Sequence, residues 1–174
     1  MFYYLSLGTN IHPEFNAIRM VEMLCIRFQE IVVYPFRYTD PVDLSDSEIF
    51  LNSIAVIFSK HPETAVKAEL NDIEIQLGRD RDDPLRSVKA RSADLDILIA
   101  AEDFNLERFA EIELPYVQAC YRRKGAKPAL SSAALSAQQG PAAVHLDTAA
   151  GDIFVVDDKF QGFVDRSKAA LGSD

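Results

Sequence analysis

Asp94 and Asp96 stand on either side of a single leucine. In an extended chain, alternation puts both carboxylates on one face and turns Leu95 and Ile97 into a core. Two carboxylates in one patch suit magnesium, a hard cation that takes oxygen ligands and completes its shell with water and substrate phosphates. Just upstream lie Gly78-Arg79-Asp80-Arg81 and a basic stretch with Arg86, Lys89 and Arg91. Guanidinium groups fork onto phosphate oxygens and balance the charge that builds up as a phosphoryl bond breaks. An Asp-x-Asp alone arises often by accident and also fits a solvated face whose arginines pair with nearby acids. The combination with the arginines points to a phosphate and metal site.

Other reactive side chains are less well placed. His12 follows a turn, His61 precedes Pro62 at a helix start, and His145 lies in a tail without clear pattern, so all three read as surface or capping residues. Cys25 falls on the apolar face of a helix, and Cys120 has no histidine neighbour to activate it, which argues against a thiolate nucleophile. Asn52 sits inside an apolar strand, where a buried amide needs partners and is therefore a ligand group or part of a structural network. Gly8 reads as a strand-ending glycine with positive φ.

The elements that must position these residues follow from periodicity. Phe2 to Leu7 is a β-rich run ended by the turn cluster Gly8-Thr9-Asn10. After Pro13, apolar residues at Phe15, Ile18, Val21, Leu24, Cys25 and Phe28 predict a helix with one buried face. Ile31 to Tyr38 reads as a strand in which Pro35 marks an edge or a bulge, and Thr39 to Glu48 is polar. Ile49 to Ser59 is a second long strand. Pro62 opens a helix over Glu63 to Leu77 with Val66, Leu70, Ile73 and Leu77 on one face, stopped by Gly78. Arg79 to Ala93 has no period and reads as a charged loop that closes over a ligand. Asp94 to Ala100 is the last clear strand. The order β-α-β-β-α-β predicts an α+β ferredoxin-like sandwich, an antiparallel sheet with two helices on one face and the other face free for a ligand. Beyond Arg108 the pattern weakens, with an Ala/Ser-rich stretch from Leu130 to Ala137 and a short strand expected at Ile153 to Asp157.

At 174 residues, 48% of them apolar, the chain is expected to build one domain around one core, residues 1–174. A formal charge of −9 argues against nucleic acid or anionic membrane as partners. Two cysteines are too few for a disulfide framework, and no apolar run approaches the roughly 20 residues of a membrane span. With no basic segment followed by an apolar core at the N-terminus, the expected location is cytoplasmic.

Several segments carry a family resemblance. Tyr4-Leu5-Ser6-Leu7-Gly8-Thr9-Asn10 resembles the opening L-G-S/T-N strand of the hydroxymethyldihydropterin pyrophosphokinases, and Tyr38-Thr39-Asp40-Pro41-Val42 resembles their Y-x-T-x-P loop. Phe50-Leu51-Asn52 is similar to F/Y-L-N, Gly78-Arg79-Asp80-Arg81 to G-R-x-R, and Arg91-Ser92-Ala93-Asp94-Leu95-Asp96-Ile97 to R-x-x-D-L-D-I. Each piece alone is weak, and the ordered set is specific. The likeness covers residues 1–126 and leaves 127–174 as a variable C-terminal extension.

The resemblance implies transfer of pyrophosphate from ATP to the hydroxymethyl group of 6-hydroxymethyl-7,8-dihydropterin in folate synthesis, giving AMP. It implies two magnesium ions on Asp94 and Asp96, a triphosphate held by Arg79, Arg81 and Arg91, and a nucleotide site with Glu74. It places Thr39, Val42 and Asn52 around the pterin, with Phe50 stacked on its ring. The family's Pro-His-Tyr is Leu114-Pro115-Tyr116-Val117 here, so Tyr116 takes the nucleotide-site histidine's place. Arg122 keeps the cation of the later R-G-F, but Arg123-Lys124-Gly125-Ala126 lacks its phenylalanine, and the chain has no tryptophan for the loop before R-x-x-D-L-D. The expected partners are small molecules, with the enzyme a monomer or homodimer. Two other readings remain open: a diverged paralogue acting on another small alcohol, and a non-catalytic ferredoxin-like module. The intact aspartates and arginines argue against the module.

Overall fold

The computed structural model describes residues 1–39, 49–80, 90–122, 129–132, 144–147 and 152–155. Strand β1 (Phe2–Thr9) is an inner strand of an antiparallel sheet, paired with β4 (Phe50–Phe58) on one side and β5 (Asp94–Ala101) on the other. β2 (Glu30–Val33) pairs the far side of β4 and is followed by β6 (Ala129–Ser132), which gives the order β5-β1-β4-β2-β6. The short β3 (Arg37–Thr39) also pairs β4, next to its start. β7 (Val144–Asp147) and β8 (Asp152–Val155) form a separate antiparallel pair.

The expected strand from Ile31 to Tyr38 is thus two strands. Pro35 cannot donate to a ladder, and the chain steps across the gap with Tyr34 N–H on the Ile54 carbonyl at 2.9 Å and Ser53 Oγ on the Tyr34 carbonyl at 2.6 Å. A register shift between Tyr4 and Leu5 leaves Leu98 as the extra residue of β5, a bulge two positions after Asp96.

Alternation along β1 divides the core in two. Tyr3, Leu5 and Leu7 face helices α1 (Pro13–Phe28) and α2 (Glu63–Gln76), where they pack with Met20, Leu24, Leu70 and Ile73. The buried stripe of α1 runs Ala17, Met20, Val21, Leu24, Cys25, a spacing that keeps one face inward. Phe15 lies about 200° round the helix from Ala17. It is 65% exposed, so it does not belong to the face expected for it. Val66, Leu70 and Ile73 of α2 are buried as expected.

The second face of the sheet is covered, contrary to the free ligand face that the sequence predicts. Phe2, Tyr4, Val32, Ile54 and Val56 are covered by a 3₁₀ helix (Leu106–Glu111) and by α3 (Pro115–Tyr121), which insert Phe109, Val117 and Cys120. Phe109 is fully buried and meets Tyr4 edge-on at 5.3 Å and Tyr34 at 5.8 Å between ring centres. The signal was missed because these helices are too short for a period to show. What stays uncovered by apolar side chains on this face is its polar end, where Ser6, Gly8, Asn52, Asp94 and Asp96 share one side by register.

Candidate functional site

One row of residues crosses four strands at this end: Asp94 on β5, Gly8 on β1, Asn52 on β4 and Arg37 on β3. Neighbouring strands are about 4.8 Å apart, which puts the Asp94 and Asn52 backbones about 10 Å from one another. Gly8 fills the middle with no side chain. Its φ is not positive, contrary to the strand-ending conformation expected. The reason for glycine is space: a Cβ built there would lie 2.6 Å from Asn52 Oδ1.

On the Asn52 side, the amide is almost closed off, at 8% exposure, and its Nδ2 donates to Thr39 Oγ1 at 2.7 Å. Phe50 pairs with Thr39 in the next row and is half-buried. Cys120 reaches the Asn52 carbonyl from α3 at 3.4 Å, and Arg37 bonds the Ala119 carbonyl, so the covering helix is fastened to this half of the site.

On the Asp94 side, a charge cluster is built on the end of α2. Leu77 caps the helix, Gly78 adopts φ 91 and bonds the Ile75 carbonyl at 2.9 Å, and Arg79 N–H returns to the Glu74 carbonyl at 3.0 Å. This is a Schellman closure, and it needs a residue that accepts the left-handed region. It lays Arg79 back over Glu74, whose Oε1 accepts Arg79 Nη1 at 2.8 Å and the Leu95 N–H at 2.7 Å. Glu74 is fully buried, not the surface residue that a helix end also allows. Arg79 Nη1 also donates to Asp94 Oδ1 at 2.6 Å, and Arg91 bonds the other oxygen of Asp94. Two carboxylates and two guanidiniums thus neutralise one another with little water. Arg79 Nε is buried and has no hydrogen-bond partner among the described residues.

Arg91 is held through its backbone by the end of β1. Its N–H donates to Asn10 Oδ1 at 2.5 Å, and its carbonyl accepts Asn10 N–H at 3.0 Å and Thr9 Oγ1 at 3.3 Å. The Thr9-Asn10 pair, read in the sequence as turn residues and as the end of the L-G-S/T-N motif, is therefore the clamp that fixes where the arginine stands.

Asp96 lies one row along, opposite Ser6, and is bonded by Lys67 Nζ at 2.7 Å. Tyr116, near the start of α3, lies beside the Ser6 side chain. Burial pushes its hydroxyl above the usual phenol range, and the negative charges of Asp96 and Asp94 add to that shift, so it faces the carboxylates as a neutral hydroxyl. Arg122 caps the C-terminal end of α3, six residues after Tyr116, and is exposed. Arg81 and Val42 lie outside the described residues, as does most of the loop expected over Arg79 to Ala93.

Asp94 and Asp96 offer hard oxygen donors on one face, the ligand chemistry magnesium requires, with guanidinium donors alongside for phosphate. The residues present therefore fit a metal–polyphosphate ligand, provided the carboxylates exchange their present cations for it. Lys67 is the member of this site that sequence reasoning did not single out, while Ser6, Gly8, Thr9 and Asn10 were read only as a strand end and a family motif, with no role in the site.

Among the described residues, no group of three or more His, Cys, Asp or Glu side chains gathers as a self-sufficient metal site, and no helix is long and apolar enough to cross a membrane. A comparison with curated proteins found no match. The family model described as 7,8-dihydro-6-hydroxymethylpterin-pyrophosphokinase matches residues 4–133, a span that holds every residue of the cluster above. With three quarters of its length so matched and its motifs assembled at one end of one sheet, the chain belongs to the 7,8-dihydro-6-hydroxymethylpterin-pyrophosphokinase family.

Proposed function

We propose that this chain transfers pyrophosphate from ATP to the hydroxymethyl group of 6-hydroxymethyl-7,8-dihydropterin, on a ferredoxin-like sheet whose order β5-β1-β4-β2 supports that reading of the fold. The observation that carries it is the row across the strands. A carboxylate and guanidinium cluster at Asp94 faces a hydrogen-bonded amide at Asn52, across a strip kept bare by Gly8.

In this reading ATP binds on the β5 side and the pterin on the β4 side. Arg79 and Arg91 leave Asp94 to grip phosphate oxygens, and the buried Nε of Arg79 is a further donor for them. Glu74 is the positioning residue: fully buried, it keeps Arg79 and the Leu95 backbone in place. Asp94 and Asp96 are the carboxylates that would hold magnesium, which when bound offsets the negative charge of the transferred group. Asn52 and Thr39 bind the polar edge of the pterin, Phe50 supplies one ring face, and Tyr116 donates from above the carboxylates. Arg81, Val42 and Arg122 are proposed to complete the nucleotide and pterin walls. The pterin oxygen bonds to the β-phosphorus, the bond from that phosphorus to the α–β bridging oxygen breaks, AMP leaves, and the hydroxyl proton is released. Positioning and charge account for the catalysis.

A second reading, a paralogue acting on another small alcohol, is favoured by Gly125-Ala126 at the place of the family motif's glycine and phenylalanine, since one stacking face is then lost. Phosphorus NMR of the protein with ATP, magnesium and the dihydropterin distinguishes the two. AMP and a pterin diphosphate in equal amounts are expected. ADP, orthophosphate or unchanged ATP would contradict the pterin reading.

A further inference from the structure

Among the described residues β5 is an edge strand, so the backbone groups on its outer side need partners that no described strand supplies. At Leu95, between the two aspartates, α2 provides both. Glu74 Oε1 accepts the Leu95 N–H at 2.7 Å, and Lys67 Nζ donates to the Leu95 carbonyl at 2.8 Å. The same ammonium makes a bond of 2.7 Å to Asp96 Oδ1. Unlike the closed Glu74–Arg79 pair, this one is open to water, with 36% of the Lys67 side chain and 54% of the Asp96 side chain exposed. An ion pair so hydrated adds little to stability and exchanges partners at little cost.

We infer that Lys67 is a ligand-binding residue of this site. It holds Asp96 while no metal is present and, kept in place by the Leu95 carbonyl, turns its ammonium to the nucleotide's phosphates when a divalent cation takes Asp96. The inference rests on the reading of Asp96 as a metal ligand. An ammonium and a divalent cation on one carboxylate repel each other, so one displaces the other. Lysine suits the exchange, because a compact cation with three donors on a flexible stem can keep the carbonyl and offer its other donors to an anion. The polyphosphate is that anion, and it arrives with the metal.

Manganese is a suitable probe, with free ion read by electron paramagnetic resonance for the wild type, Lys67→Met, Lys67→Arg and Asp96→Asn. Each is titrated with manganese alone and with manganese plus α,β-methylene-ATP. Lys67→Met is expected to bind manganese alone about two- to fivefold more tightly, the range of an exposed ion pair, and the manganese–nucleotide complex more weakly by a similar factor. Lys67→Arg is expected to restore wild-type behaviour in both titrations. Gain for the bare metal with loss for the complex is a pair of opposite signs that a structural role does not produce. Lys67→Met without a gain for the bare metal overturns the inference. Asp96→Asn binding manganese as well as the wild type overturns the metal-site reading beneath it.

Discussion

Gly8 shows how a single residue links the two halves of the site. Any side chain there meets Asn52 Oδ1, at 2.6 Å for a Cβ alone, and the amide can yield only by giving up Thr39 Oγ1. Gly8→Ala is therefore expected to destabilise the protein by about 1–3 kcal/mol, as overpacking does. It should also raise the pterin KM more than the ATP KM, measured by steady-state kinetics with each substrate varied. Equal effects on both would place the crowding elsewhere. Glu74→Ala removes the partner of a buried guanidinium and of the Leu95 N–H, a change that costs about 3–5 kcal/mol in comparable buried pairs, read as a fall in the denaturant midpoint. That Asp94 and Asp96 share one face was legible in the sequence because alternation sufficed, and the structure sets Arg79 and Arg91 beside Asp94. The partners of these residues were not legible, because Lys67, Thr9 and Asn10 reach them from other elements, across contacts that no local spacing encodes.

At the scale of elements, the end of α2 decides where Arg79 stands. Gly78 sits at φ 91 with open space around it, so Gly78→Ala strains the backbone without a clash. A loss of about 1 kcal/mol in stability is expected. Because the Schellman closure sets Arg79 over Glu74, a rise in the apparent Kd for an ATP analogue should accompany it, measured by calorimetry. The long elements were readable: β1, β4, α1, α2 and β5 have periods of two or 3.6 over many residues. Pro35 was visible as an interruption, but whether it bends one strand or separates two depends on which neighbour takes up the Tyr34 N–H. The 3₁₀ helix and α3 were not readable, since the 3₁₀ helix spans six residues and α3 seven, and nothing local requires them to cover the second face.

For the whole molecule, that second face has a consequence for alkaline stability. Burial pushes the Cys120 thiol up to about 12 and raises the Tyr34 hydroxyl above the phenol range, in the layer that also holds Phe109. Both groups are uncharged when protonated, so the fold favours their protonated forms. Their contribution is complete below the unfolded pKa values, about 8.5 for a thiol and about 10 for a phenol. It is lost as pH rises toward the folded values. The melting temperature is therefore expected to fall from about pH 9 upward, and Cys120→Ala should make that fall shallower. A melting temperature flat to pH 11 would contradict a buried Cys120. The central claim concerns the whole site, and the most direct test of it is AMP release from ATP and magnesium, with and without 6-hydroxymethyl-7,8-dihydropterin, for the wild type and Asp96→Ala. The account predicts release that depends on the pterin and falls by about a hundredfold or more in the folded variant. Release indifferent to the pterin, or an Asp96→Ala protein as fast as the wild type, would contradict it.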